Sequence, residues 1–597
     1  MMIAALVRAW DDRGGHVARV VAGASRSSRR SRYPQVEPGS LALGHRAVAV
    51  CSADAAVAEA ARLLRRSRAR ILVVQGTDAI GVAQPEDLRR AQAFGLAKLP
   101  VGDVSRWDVP VVTADTAEVR VRRLLLAGAP TVLVKARGAV VAAVESGRWR
   151  RATGRDGGGA AALALAGRLA RDLPVELLDF LRGVGRLAEL LNTQAYVAGG
   201  FVRDLLRGAA SQDLDVVVEG DALALARRLC RQLGGSLVVH RAFGTASIEG
   251  WSDGRVDVAM ARRERYAAPG ALPVVHAAGI EADLARRDFT VNAMALALTG
   301  PRFGQLLDPF GGWRDLGSGA IRILHPLAFV EDPTRIFRAV RYATRLGFRI
   351  DRWTRKSLAV ALSLGAYPAL SGQRLLAELE LIMGEAGWDQ SLLTLGRLRA
   401  FRLLDPGYRF SPNAAARLRA LAELLRWARE AGVALEALPL ALLCVVGHLP
   451  APLAERCLRR LALSGEPLAR LLEAYSAGPS VARRLEGQAD APRSRCAAIL
   501  RARTTETVGF AWLVGSRAVR ERVQWFLAEG QGVRPLLSGR DLLALGVAKG
   551  PAVSRLLQAL RDRRLDGEVS SREGEVRLIR EWLSGDAGTP ARATEEG

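Results

Sequence analysis

The stretch Ala195-Tyr-Val-Ala-Gly199-Gly200-Phe-Val-Arg203-Asp204-Leu-Leu, with Gln212-Asp213-Leu-Asp215-Val-Val-Val close behind it, decides the fold of this chain. An apolar strand runs into a double glycine that opens a helix. A second apolar strand then carries two carboxylates two residues apart. Side chains alternate faces along a strand, so Asp213 and Asp215 share a face. Two carboxylates that close together favour a cation between them, and the hard oxygen pair suits Mg²⁺, which keeps several waters and bridges phosphates. The pair Gly199 and Gly200 lets backbone approach a phosphate, and the following helix aims its free N–H groups and positive dipole end at it. Either half alone reads as a surface strand or a tight turn. Both halves in this order read as a site for metal-assisted phosphoryl chemistry in an α/β domain.

Further along, Phe243-Gly-Thr-Ala-Ser247 leads to Arg255-Val-Asp257-Val-Ala-Met, where Asp257 sits in another apolar strand. It is either a third carboxylate of the metal site or a strand-end Asp in an ordinary ion pair. Between Arg262 and Asp283, a segment with Pro269-Gly270 and Ala/Gly-rich flanks reads as a movable loop. Then comes Asp283-Leu-Ala-Arg286-Arg287-Asp288-Phe-Thr-Val-Asn292-Ala-Met. Two adjacent guanidinium forks suit a triphosphate, and Asn292, one turn beyond Asp288, suits a ribose hydroxyl. Asp308-Pro-Phe-Gly311-Gly312 reads as a turn. In Glu331-Asp332-Pro333-Thr-Arg335-Ile-Phe-Arg338-Ala-Val-Arg341-Tyr342, Asp332 caps a helix that has Pro333 in its first turn. Arg335, Arg338 and Arg341 recur every three residues, either as a solvated face or as a working one. Ile336, Phe337 and Val340 bury the other side.

The chain is 597 residues long with a net charge of +25, enough for several domains and pointing to a polyanionic partner, nucleic acid first. Nearly all its cations are arginine. The five cysteines and six histidines show no ligand spacing, which argues against structural zinc and disulfides and for a cytoplasmic setting. No run approaches the ~18 apolar residues of a membrane span.

Residues 1–45 read as a poorly structured basic segment, and 46–147 as two strand–helix–strand copies. Residues 148–180 read as a Gly-rich linker and helix, 181–315 as the α/β head, and 316–385 as a helical neck. A helical body and tail follow over 386–583, with breaks at prolines including Pro479, and a disordered end over 584–597.

The repeated segment resembles a tandem CBS pair. Gly81 and Asp87 fit that family's nucleotide-contacting pattern, but Gln84 replaces its hydroxyl residue and the second copy, from Gly138 to Gly147, lacks the Asp. Taken together and in order, Gly199-Gly200-x-Val-Arg203-Asp204, Asp213-x-Asp215, Arg286-Arg287-Asp288 to Asn292, Asp308-Pro-x-Gly-Gly and Glu331-Asp332-Pro-x-Arg335 resemble the class II tRNA nucleotidyltransferases and poly(A) polymerases over roughly residues 181–385.

The resemblance implies an α/β nucleotidyltransferase head, an all-α neck, body and tail, and an N-terminal α+β CBS pair. It implies CMP or AMP transfer to a tRNA 3′ end from CTP or ATP, by two Mg²⁺ on Asp213 and Asp215, with Asp257 beside them. It implies nucleotide and phosphate contacts from Gly199, Gly200, Arg203, Arg286, Arg287, Asp288 and Asn292. A base template formed by Glu331, Asp332, Arg335 and Arg338 is implied too, with Glu331 orienting Arg335. The related subgroup with a CBS pair carries a DHH-type phosphoesterase domain in front, and residues 1–44 are read as standing in its place. The alternatives are an A-adding or CC-adding partner enzyme, a poly(A) polymerase, or a non-catalytic CBS-regulated RNA-binding protein. The last would need broken metal ligands, and Asp213 and Asp215 are intact.

Overall fold

Short β-branched runs punctuated by glycine and proline set the architecture of the first half of the chain, and amphipathic helices that of the second. The computed structural model describes residues 45–46, 48–67, 69–113, 118–126, 129–136, 139–146, 167, 169–209, 213–240, 244–251, 254–488 and 491–584. The basic segment expected before His45, most of the Gly-rich linker and the expected disordered end beyond Ser584 lie outside these residues. The described chain divides into two units, residues 1–371 and 372–597.

The first unit begins with the repeat. One copy runs β2 (Val48–Ser52), α1 (Val57–Ser67), β3 (Ile71–Gln75), β4 (Ile80–Ala83) and α2 (Pro85–Ala93), preceded by the two-residue strand β1 (His45–Arg46). The other runs β5 (Val111–Thr113), α3 (Glu118–Leu126), β6 (Thr131–Ala136) and β7 (Ala139–Glu145). In each copy the strands flanking the helix pair in parallel and the last strand returns antiparallel. Ile71, Val73 and Val82 of the first copy share a buried cluster with Leu133, Val140 and Ala143 of the second. Neither copy could bury that face alone.

After α4 (Val175–Leu190) comes a seven-stranded sheet with strand order β10-β11-β12-β9-β8-β15-β16. Its strands are β8 (Gln194–Ala198), β9 (Asp213–Glu219), β10 (Ser236–His240), β11 (Thr245–Trp251), β12 (Gly254–Met260), β15 (Ala295–Ala297) and β16 (Leu306–Leu307). Helices α5 (Gly200–Arg207) and α6 (Ala222–Leu233) connect the first of them. The Ala195–Ala198 run of β8 and the Val216-Val217-Val218 run of β9 are central, where both faces are covered. One face closes over Tyr196, Ala198, Val217, Ala261, Ile280, Leu284, Ala295 and Ala297.

The segment expected to be a movable loop is ordered: β13 (Arg262–Tyr266) and β14 (Pro273–Ala277) form an antiparallel hairpin, and α7 (Ile280–Ala285) follows. The alternation in Arg-Arg-Glu-Arg-Tyr carries that strand, and its turn holds Gly270 at φ +79°. Then come α8 (Gly312–Gly317), α9 (Ala328–Glu331), α10 (Thr334–Leu346) and α11 (Arg352–Ser363).

The described residues of the second unit form helices without a sheet. Their longest helix, Gly465–Glu486, contains Pro479 instead of breaking there. Gly478 just before it packs so closely on Phe510 of the helix Thr505–Val514 that a Cβ would lie 2.7 Å from the ring, and this packing outweighs the lost hydrogen bond. Among the described residues no helix is long and apolar enough to cross a membrane.

Candidate active site

Gly199 ends β8 and caps α5 with φ +76° and ψ −129°, a backbone that residues with a side chain rarely adopt. A Cβ there would lie 2.5 Å from Arg287 Nη1 and 3.3 Å from Asp215 Oδ2. The glycine therefore leaves room for a guanidinium and a carboxylate to meet at the N-terminus of α5. β9 and β12 pair in parallel with Asp215 beside Asp257 and Asp213 beside Arg255, so positions 213, 215 and 257 share one face of the sheet. Asp257 Oδ1 accepts from Ser247 Oγ at 2.6 Å and from Arg255 Nε at 2.8 Å. The Asp213 side chain lies outside the described set, and among the described residues no three His, Cys, Asp or Glu side chains form a ready metal cage.

Arg286 and Arg287 are both anchored on Asp283, three and four residues back along one helical turn. Asp283 Oδ1 accepts from Arg286 Nε and Nη2 at 2.9 and 2.7 Å, and Oδ2 accepts from Arg287 Nη2 at 3.2 Å. Arg286 Nη1 donates to Glu264 Oε1 at 3.0 Å, which leaves Arg286 spanned by two carboxylates. Arg287 Nη1 reaches the Asn292 carbonyl oxygen at 3.4 Å, and its buried Nε has no partner among the described residues. Of the two arginines, Arg287 faces Gly199 and Asp215.

Behind this runs a buried polar chain. Arg203 grips Asp204 through Nε and Nη2 at 2.9 and 2.7 Å and donates from Nη1 to Asn292 Oδ1 at 2.7 Å. Asn292 Nδ2 donates to Asp288 Oδ1 at 3.0 Å, and Arg338 donates twice to Asp288 Oδ2, at 2.9 and 2.7 Å. Burial alone would raise the Asp288 carboxyl, but Arg338 and Asn292 outweigh it and hold it below its ordinary value. Sequence reasoning gave Arg203, Asp288, Asn292 and Arg338 direct contact with nucleotide. In the structure their polar ends bond chiefly to one another, tying the α5 turn to α10.

The segment Glu331-Asp332-Pro333 joins α9 to α10. Asp332 Oδ1 accepts from the Thr334 N–H at 3.1 Å and from its hydroxyl at 2.7 Å, fixing the start of α10. Arg335 is only 5 % exposed; its Nη2 donates to the Arg286 carbonyl at 2.7 Å, and its buried Nη1 has no partner among the described residues. Arg335 and Arg341 are thus buried, which rules out a solvated face.

Glu331 makes no hydrogen bond to Arg335. Its carboxylate pairs with His325 Nε2 at 3.1 Å and with Arg90 Nε, from α2 of the repeat, at 2.5 Å. Burial would raise the Glu331 carboxyl, but the hydrogen bond from His325 and the charges of Arg90 and Arg335 outweigh it and hold it below its ordinary value. Burial and Arg90 together lower His325, which stays neutral and donates Nε2–H. Sequence reasoning missed His325, Glu264 and Arg90. The spacing of Asp283 to the arginine pair was a readable signal, whereas nothing local ties Arg90 to a residue so far along the chain.

The Poly A polymerase head domain family matches residues 195–322. An A-adding tRNA nucleotidyltransferase of Geobacter sulfurreducens is 36% identical over 416 residues, 68% of this chain and 47% of the relative, so the chain spans about half of that protein's length. An A-adding tRNA nucleotidyltransferase of Halalkalibacterium halodurans is 32% identical over 68% of this chain and 93% of the relative. A solved CCA-adding enzyme in its apo form superposes with a TM-score of 0.63 at 30% identity, covering 70% of this chain and 98% of that one.

Proposed function

The chain belongs to the tRNA nucleotidyltransferase family, and we propose that it transfers AMP from ATP to the 3′ end of tRNA, releasing pyrophosphate without a nucleic-acid template. The observation that carries this reading is the meeting of Asp215, Arg287 and the N-terminus of α5 around Gly199. The donor set there is hard oxygen, and positions 213, 215 and 257 share one face of the sheet, so the residues fit Mg²⁺. Asp213 and Asp215 would hold it, with Asp257 on the neighbouring strand. When bound, a divalent pair activates the RNA 3′-hydroxyl and neutralises the leaving pyrophosphate.

The rest is work for the chain itself. The first N–H groups of α5 and the Arg287 guanidinium bind the triphosphate, which gives the unpartnered Arg287 Nε an acceptor. Arg286, Arg203, Asp288, Asn292 and Arg338 fix those groups in place. Asp332 and Arg335 read the base. Adenine presents an exocyclic amine beside a ring-nitrogen acceptor, matching a carboxylate acceptor and the free Arg335 Nη1 donor. Guanine and uracil set a carbonyl against Asp332, and a buried mismatch of that kind discriminates strongly.

Cytosine presents the same pattern as adenine. This favours a second reading, CMP as well as AMP addition, in line with the solved CCA-adding relative. The repeat of residues 46–147 is assigned to a CBS pair on its doubled strand order, and the enzyme to the cytoplasm. The test supplies purified protein with Mg²⁺ and tRNAs ending before CCA, after C or after CC, each with CTP or ATP alone. Adenylate transfer only onto the CC-ended tRNA supports A addition, and transfer on all three with the matching nucleotide supports full CCA synthesis. No transfer under any condition overturns both.

A further inference from the structure

We propose that Arg90, on α2 of the N-terminal repeat, is a positioning residue for base selection: it holds Glu331, and through it the turn that presents Asp332 and Arg335. The inference rests on the tRNA nucleotidyltransferase reading of the site. Glu331 is 6 % exposed, and of its two carboxylate oxygens one pairs with His325 Nε2 and the other with Arg90 Nε. Its backbone carbonyl accepts from Gly270 N–H at 3.0 Å, in the β13–β14 turn. Three anchors from three parts of the chain therefore fix one residue, and Asp332 is the next in sequence. Arg335 sits one helical turn further on, its Nη2 committed and its Nη1 free.

Arg90 is itself held. Asp87, 2 % exposed and one turn earlier on α2, lies 3.5 Å from Arg90 Nη1. Asp87 is the residue that fits the CBS nucleotide-contacting pattern, and here it braces an arginine aimed at the head. The repeat is fastened to the head and neck at further points. Arg322 Nη1 pairs with Asp108 at 2.6 Å, Lys356 Nζ with Asp103 at 3.4 Å, and Trp107 stacks on Trp353 with ring centroids 5.7 Å apart. These contacts hold the repeat against the head and neck away from Glu331, so the link to Asp332 and Arg335 runs through Arg90. Without Arg90, one oxygen of a buried carboxylate loses its charged donor, and Glu331 can re-pair with the free Arg335 Nη1 that the base needs.

The test measures kcat/KM for ATP and for GTP on tRNA ending in CC, in wild type, Arg90→Ala, Arg90→Lys and Asp108→Ala, with a thermal melt of each. Arg90→Ala is expected to lower kcat/KM for ATP by about tenfold and to narrow the ATP-over-GTP ratio by a similar factor. Arg90→Lys, which restores a cation, recovers most of the ratio. Asp108→Ala loosens the docking elsewhere and leaves the ratio unchanged. If Arg90→Ala unfolds, Arg90→Gln, which keeps a stem and an amide donor, gives the same readout. An unchanged ratio in the Arg90 variants of an active wild type overturns this inference alone, as does an equal loss in Asp108→Ala. A wild type that transfers nothing overturns the function with it.

Discussion

Substituting Gly199 by alanine tests how closely the phosphate-side groups are packed. The backbone at Gly199 has φ +76° and ψ −129°, so a Cβ costs about 1–3 kcal/mol in backbone strain. The new methyl would lie 2.5 Å from Arg287 Nη1, about 1 Å short of ordinary contact. The obstacle is the end of a long side chain, and the guanidinium must shift at the expense of its contacts with Asp283 Oδ2 and the Asn292 carbonyl. The catalytic cost is larger, because displacing a phosphate-binding group by about 1 Å is enough for a loss of about 10²-fold. Gly200 is the natural control. A Cβ there meets only Arg203 Nη2 at 3.6 Å, an ordinary contact, and its φ is not in the left-handed region. Differential scanning fluorimetry and initial rates of ATP incorporation onto CC-ended tRNA are the assays. Gly199→Ala should lose about 2 kcal/mol of stability, with the KM for ATP raised and kcat/KM down about 10²-fold. Gly200→Ala should stay within about 0.5 kcal/mol of wild type. Equal stability losses in the two variants, or a fully active Gly199→Ala, would refute the reasoning.

Other expectations concern the carboxylates. Asp215→Asn keeps the shape of the strand but removes a metal-binding charge worth several kcal/mol, so transfer should fall by about 10³-fold while the melting temperature and tRNA binding hold. A variant that also loses tRNA binding would place Asp215 in the fold instead. Asp288→Asn breaks the buried pair with Arg338 and should cost about 3–5 kcal/mol. Because the folded-state pKa of Asp288 lies below its ordinary 3.8, its stabilisation is present above that value and lost as pH falls through the lowered pKa. Urea melts from pH 6 to pH 3 should therefore fall more steeply for wild type than for Asp288→Asn; parallel curves would contradict the assignment.

Much of the site was legible in the sequence because its pieces are local. The Asp-x-Asp pair sits in one strand whose alternation fixes where its side chains point, the double glycine marks a strand-to-helix turn, and Arg286-Arg287 lie within one turn of Asp283. The repeat too was visible, since each copy carries its own strand–helix–strand pattern. What stayed hidden depends on partners distant in sequence. The Arg335/Arg338/Arg341 face could be read as solvated or as working, and Asp288, the Arg286 carbonyl and close packing bury much of it. Glu331 was expected to hold Arg335 but is claimed by His325 and Arg90. The hairpin of β13 and β14 was read as a loop because alanine, glycine and proline masked a short alternation in Arg262–Tyr266.

In the proposed division of labour, Asp332 and Arg335 on the neck read the base while the strand carboxylates carry the chemistry. The most direct measurement offers CC-ended tRNA all four nucleoside triphosphates at equal concentration with Mg²⁺ and sequences the extended 3′ ends from wild type and from Arg335→Ala. Wild type should add adenylate, and Arg335→Ala should continue transfer more slowly with guanylate and uridylate among the products. An Arg335→Ala enzyme as selective as wild type would contradict it.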